Sequence, residues 1–411
     1  MTLSSLPRLG ALSAMLLLAA CGGSSPDSAT ATRPVLAAAL LTPPVALDDA
    51  ARLAAGPDFV LALDTDGMVY GWGNNTYGQL GDADRNDVLM PRQVAGMSAV
   101  QALAAGGYHS AVLRTDGTVW TWGNNNYGQL GIGAYTDGGP QPRAVPGMSG
   151  VKALAAGYTH TVVVLTNGNV WGWGSTPAKS SPSPLQVGAV TDVMAVAAGS
   201  DFTLALKRDG SVWGWGGNTF GQLGNGKRSA MEAAPVKVSG LDNVVAVSGG
   251  YVHAMALKGD GSVWAWGSNS FDQLGSAGGS TLVPRQVTGL PVPAPGAAGV
   301  RAIVAGTYNS AVIYADRSVW IWGSNLAGQF GADTPASSGS PVLLANLSAN
   351  VALAIGDDFV AALNKAGAVF TLGQSGHGQL GNNSRVNAAR PVPVLGRSGV
   401  GYLGLGSSAA P

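Results

Sequence analysis

Three of the four histidines, His109, His160 and His253, occupy one place in a recurring pattern, three residues after Gly106, Gly157 and Gly250. An imidazole serves as a general base or a metal ligand. A base needs a nucleophile and an orienting acid beside it. Zinc needs paired His or Cys at short spacing. Neither pattern is present, and other copies of the position hold Phe59, Phe202, Asn309 and Phe359. The three histidines therefore read as buried side chains that bond a neighbouring turn. His377 lies in a glycine loop and reads as solvated. Asparagine-rich WGNNTYGQLG (72–81) offers carbonyl oxygens but not the clustered carboxylates that calcium takes, so it reads as a hydrogen-bonded turn. Glycines sit at turns and not ahead of a helix, which excludes a phosphate-binding loop. The expectation is no catalytic residue, no metal, no cofactor and no enzyme.

The elements that place these residues come from a repeat. WGNNTYGQLG returns as WGNNNYGQLG at Trp122, WGGNTFGQLG at Trp215, WGSNSFDQLG at Trp266 and WGSNLAGQFG at Trp322. LGQSGHGQLG at Leu372 is a weaker copy and WGSTPAKSSP at Trp173 a broken one, making seven. A small-residue stretch ending in glycine precedes each, at Gly56, Gly106, Gly157, Gly199, Gly250, Gly306 and Gly356. That glycine is always 16 residues ahead of the Trp or Leu, while successive glycines are 42 to 56 apart. One part of the unit is fixed and the rest takes insertions, as in a repeat array with loops on one face.

The fixed part predicts strands. A small-residue strand ends at Gly106, and His109 to Arg114 forms the next. Asp116-Gly117 is a hairpin turn, and Thr118 to Trp122 forms a third strand. A fourth follows the decapeptide, as at Pro91 to Ala95 and Pro284 to Thr288. The fold class expected is all-β, a seven-bladed β-propeller of four-stranded antiparallel blades. All eleven tryptophans fall in third strands. Pairs at i and i+2 share a face, so each pair is expected against the next blade. Ala, Gly and Ser make the first strand, which fits the narrow axis.

These motifs resemble the regulator of chromosome condensation repeat family, whose members form seven-bladed propellers. The resemblance covers about residues 46 to 406. It implies ring closure by mixing N- and C-terminal strands in one blade. Here either Ala51–Gly56 or Val400–Gly406 takes the innermost place in the closing blade, with the other spare.

Following the chain up strand one, down strand two and up strand three puts the inner turns and the decapeptide loops on one face. Those turns hold Asp58, Tyr108, Tyr158, Asp201, Tyr251, Tyr308, Asp357 and Asp358. We expect a ring of tyrosines and aspartates around a central funnel, with Tyr77, Tyr127, Phe220 and Phe271 outside it. Tyrosine gives large contact area at low entropic cost, so the rim is a candidate partner-binding surface.

Charge narrows the partner. Lys plus Arg and Asp plus Glu are 22 each, so no basic field draws nucleic acid. At the N-terminus, Arg8 precedes the apolar ALSAMLLLAA, too short to span a bilayer. Leu18-Ala19-Ala20-Cys21 resembles a bacterial lipobox, which implies acylation of Cys21, the only cysteine. Residues 1–20 then form a lipoprotein-type signal peptide, 21–45 a flexible tether and 46–411 the propeller. Gly22 favours the outer membrane by the same resemblance. The expected protein is exported, touches membrane only through a lipid anchor, and binds another protein. Alternatives are guanine-nucleotide exchange, as in the nuclear family, and inhibition of a secreted or periplasmic enzyme.

Overall fold

The structure, a computed structural model, describes residues 52–175, 180–188, 190–276, 278–293, 299–332 and 334–406. The expected signal peptide, the tether and Cys21 lie outside the described residues, and so does the start of the proposed propeller segment.

Valine, alanine and tryptophan alternating between glycine turns favour extended chain, and the fold is built from that alone. Among the described residues, 28 strands form seven four-stranded antiparallel sheets, each from four consecutive strands. In blade two these are Val100–Ala105, His109–Arg114, Val119–Gly123 and Gly139–Ala144, running outward from the axis. The seven-bladed, four-stranded architecture expected from the sequence is the one observed. Fourth strands begin earlier than expected, at Val88–Gln93 and Thr281–Gln286. The reason is register: Val88 pairs with Gly73, and Thr281 with Gly267, so pairing starts as soon as the loop returns.

The second indole of each pair, such as Trp122 and Trp266, is fully buried. Each aromatic of this size buries roughly 150–250 Å², which at about 25 cal/mol/Å² is worth roughly 4–6 kcal/mol. The indoles face the preceding blade and not the next. Trp122 and Trp120 pack with Leu61, Leu63 and Val69 of blade one, and Trp266 with Phe202 and Leu204 of blade four. The first indole of a pair is only half-buried, with Arg114 lying over Trp120 and Lys258 over Trp264.

The decapeptide exists to receive that indole. Trp122 donates to the Gln79 carbonyl at 2.8 Å and Trp173 to that of Gln129 at 2.9 Å. Inside the loop, Asn75 Oδ1 accepts the Leu80 N–H, Gln79 Oε1 accepts the Tyr77 N–H, and Gln79 Nε2 donates to Asn74. The closing glycine is required at Gly131, where φ is +68° and a Cβ would lie 2.7 Å from the Trp173 ring nitrogen. The Asn and Gln side chains of the Trp72 copy bond within the loop, so it holds itself as a turn.

Ring closure corrects the expectation of one mixed blade and one spare strand. Leu53–Ala55 is the innermost strand of blade one, and blade seven has its own, Asn350–Ile355. The C-terminal segment is not spare. Leu403 N–H donates to Val394, Leu405 N–H donates to Gly367, and the Leu405 carbonyl accepts from Thr65. Both leucines are buried. The segment clasps blade seven to blade one, where a covalent connection does this elsewhere in the ring.

Candidate functional site

The inner turns surround a central funnel of about 100 Å³. A girdle of main-chain bonds fixes them. Tyr158 N–H donates to Ser200, Ser200 to Tyr251, Tyr251 to Gly306 and Asp357 to Pro57. Pro57 has no N–H to pass on. Between blades six and seven, Thr307 Oγ1 donates to Asp357 Oδ1 at 2.5 Å instead.

This girdle splits the eight expected rim residues into two sets. The first residue after each turn glycine lines the funnel, which places Tyr158, Tyr251 and Asp357 there with Ser200 and Thr307. The second residue lies back toward the decapeptides, which is where Asp58, Tyr108, Asp201, Tyr308 and Asp358 stand. Asp58 accepts from Gln379, Asp201 from Gln222 and Asp358 from Gln329, each glutamine belonging to a decapeptide.

The aromatics form an arc, not a ring. Tyr77 meets Tyr108 at 5.2 Å between centroids, Tyr108 meets Tyr158 at 5.6 Å, and Tyr158 meets Tyr251 at 6.0 Å. Tyr251 meets Tyr308 at 6.2 Å, and Tyr308 meets Phe271 at 4.5 Å. The tilted and edge-on geometries are those that aromatic quadrupoles favour. Tyr77 and Phe271, expected outside, end the arc. Tyr127 and Phe220 remain exposed beyond it. These contacts also place the inner turns and the decapeptide loops on one face. Asp58, Asp357 and Asp358 occupy the other side of the rim, in blades one and seven, and Asp201 stands in blade four, which the Tyr158–Tyr251 contact spans.

Burial pushes the Asp357 carboxyl up to about 6, against the Thr307 bond and aided by Asp58 and Asp358. Burial also raises Asp58, Asp201 and Asp358. Among the described residues no ion pair joins these four to Lys or Arg. Sequence reasoning missed Thr307, although it stands directly after Gly306, at the funnel-lining place that Tyr158 and Asp357 share.

The histidines are elsewhere and do other work. His109 Nε2 lies 2.9 Å from Thr161 Oγ1, His160 Nε2 3.0 Å from Thr203, and His253 Nε2 2.9 Å from Ser310. They bond a hydroxyl on the second strand of the next blade, not a turn, because the side chain crosses the interface and not the rim. Thr161 gives its one proton to the Gln129 carbonyl, so His109 must donate from Nε2. Burial pushes His109 and His253 down to about 3 and His160 to about 4. They are neutral interior links. His377 is half-exposed but not merely solvated: its Nδ1 lies 3.1 Å from Asp87 and 3.2 Å from Asn74 of blade one. Among the described residues no group of three His, Cys, Asp or Glu is placed to hold a metal.

A model described as RCC1-like domain matches residues 175–409. Models described as regulator of chromosome condensation (RCC1) repeat match residues 66–113 and 116–164, and again 51–79 and 100–129. The chain is similar to human "Probable E3 ubiquitin-protein ligase HERC4", 33% identical over 37% of this chain and 14% of that protein. Human "Probable E3 ubiquitin-protein ligase HERC6" is 33% identical over 39% of this chain and 16% of its own length. The aligned part thus spans about one-sixth or less of these relatives. Among solved structures, Prp20p from Saccharomyces cerevisiae aligns with a TM-score of 0.72 at 22% identity, over 84% of this chain and 88% of that one. Human WBSCR16 aligns with a TM-score of 0.70 at 22% identity, over 80% and 95%.

Proposed function

This chain belongs to the family of RCC1-like domains, and from that premise we propose that it is a non-catalytic propeller holding another protein against the rim of inner turns and decapeptide loops. The carrying observation is the arc from Tyr77 through Tyr108, Tyr158, Tyr251 and Tyr308 to Phe271. Six touching rings, Tyr251 among them exposed, make a rigid amphipathic surface on a scaffold locked by main-chain bonds. A fold neighbour, Prp20p, is described by its binding properties to Gsp1p and histones, which supports protein recognition as a use of this architecture. The Leu18–Cys21 motif supports export and a lipid anchor, so the partner would share the cell envelope. Photo-crosslinking from the rim in native envelopes, followed by mass spectrometry, tests the reading. Alanine at Tyr108, Tyr158, Tyr251 and Tyr308 together should abolish the wild-type crosslinks. An unchanged set of partners from that variant removes the rim from consideration. The identity of the captured protein separates plain binding from nucleotide exchange or enzyme inhibition.

A further inference from the structure

At about 100 Å³ the funnel is far below the roughly 300–1,000 Å³ of a drug-sized ligand site. It takes one side chain, not a second folded element. Its wall is largely Ala and Gly. The side chains that give it chemistry are Tyr158, Ser200, Tyr251, Thr307 and Asp357. We propose that the partner seats a lysine or arginine side chain in this funnel, with the cation against the Asp357 carboxylate and the stem against the tyrosine rings. The inference rests on the rim as the protein-binding face and names the chemistry of the partner's anchor.

Charge complementarity carries it. No Lys or Arg occurs in the seven inner turns or in the six decapeptide loops opened by Trp72, Trp122, Trp215, Trp266, Trp322 and Leu372. The same segments hold Asp58, Asp201, Asp272, Asp357 and Asp358. Asp58, Asp201 and Asp358 are engaged by glutamine amides, which carry no charge. Asp357 uses one oxygen on Thr307 and leaves Oδ2 without a bond partner among the described residues. Aromatic rings attract a cation further, most when it is drawn out of water. A bare divalent ion fits poorly, because calcium and magnesium collect several oxygen ligands and one carboxylate faces the funnel. Lys and Arg carry an apolar stem below the charge, which suits tyrosine walls.

The test uses a capped peptide, Gly-Gly-Gly-Arg-Gly-Gly-Gly, with lysine and norleucine counterparts, titrated calorimetrically into the mature chain. The arginine and lysine peptides should bind at least tenfold more tightly than norleucine, with the advantage shrinking as salt rises. Asp357→Asn keeps the Thr307 bond and removes only the charge, so it should erase the advantage without lowering the melting temperature. Equal binding of norleucine, no binding by either cationic peptide at millimolar concentration, or an unaffected Asp357→Asn variant overturns the proposal. Crosslinking separates this from the rim itself. If Asp357→Asn keeps its native crosslinks while the four-tyrosine variant loses them, the rim stands and the cation is wrong.

Discussion

Trp72 donates its indole N–H to the main-chain oxygen of Gln379 at 2.9 Å, joining the first blade to the last. The same bond joins Trp122 to Gln79 and Trp322 to Gln273 inside the ring. The seam is therefore latched as these two interfaces are, with one difference, which the Trp266–Gln222 interface shares because Ala254 stands where Ser110 does. The Gln79 carbonyl also accepts from Ser110, and that of Gln273 from Ser310. At the seam the matching residue is Val60, which has no hydroxyl. Trp72→Phe should strand a buried carbonyl and cost about 1–3 kcal/mol beyond the volume change, whereas Trp122→Phe should cost about 0.5–1.5 kcal/mol. Urea midpoints of the two variants check the order. Equal costs would mean that the second donor does not matter.

The histidine latch gives a coupled prediction. Thr161→Val leaves the His109 Nε2–H buried without an acceptor, which should cost about 1–3 kcal/mol. His109→Phe installs the residue that blades one, four and seven carry at this place. The double variant His109→Phe with Thr161→Val recreates the Phe359–Val60 pairing of the seam. It should be more stable than Thr161→Val alone, with a coupling of about 1 kcal/mol or more in a double-mutant cycle. Additive costs would show that the two side chains do not act together.

Much of this was legible in the residues. The fixed 16-residue phase and the paired indoles specify seven like sheets, because a single sheet cannot cover that much aromatic surface. The inner face followed from counting strands up and down. What stayed hidden crosses between repeats. His109, His160 and His253 occur where the next repeat offers Thr161, Thr203 or Ser310, one residue after its own matching position. That correlation is in the sequence, but it links residues 43 to 57 apart, and reading each unit alone does not reveal it. The direction in which the indoles face was hidden for the same reason, since i and i+2 fix a shared face but not which neighbour it meets. The split of the rim arose from main-chain bonds between turns, which no side-chain pattern encodes.

Acid should loosen the ring. Burial holds His109 and His253 at about 3 and His160 at about 4, against about 6.5 in the unfolded chain. Between pH 6.5 and about 4 the unfolded chain binds more protons at these sites, so stability falls as pH falls through that window, by up to about 1.4 kcal/mol per histidine per pH unit. Asp357, raised to about 6, acts oppositely: folded it takes up its proton first, so its contribution grows as pH falls from 6. Asp58, Asp201 and Asp358 are raised as well and act in the same direction as Asp357. The three fully buried histidines are expected to outweigh these carboxylates. Melting temperatures should drop between pH 7 and pH 5, and His109→Phe with His253→Phe should flatten the slope. A slope unchanged by the two substitutions would assign acid sensitivity elsewhere.

The C-terminal clasp yields the largest single effect. Interior innermost strands such as Val100–Ala105 have six residues, but Leu53–Ala55 has three. Val100 donates to Gly67 across one interior seam, and Leu405 donates to Gly367 in the corresponding place. The Leu403–Leu405 segment thus supplies beside Leu53–Ala55 the bond that the start of Val100–Ala105 supplies in blade two. Leu405 is 0% exposed and Leu403 2%, while Arg397 lies 4.5 Å over the Tyr70 ring. Removing residues 397–411 exposes the bed of two buried leucines, worth about 3–6 kcal/mol together, and frees the Thr65 N–H and the Gly367 carbonyl. Hydrogen exchange should quicken at Leu53–Ala55 and Thr65, while Val151–Ala156 on an interior seam stays protected. Val400→Asp, at a position 78% exposed, should leave both unchanged. A truncated chain that melts where the full chain does, with protection at Thr65 intact, would show that the two ends hold together without the clasp.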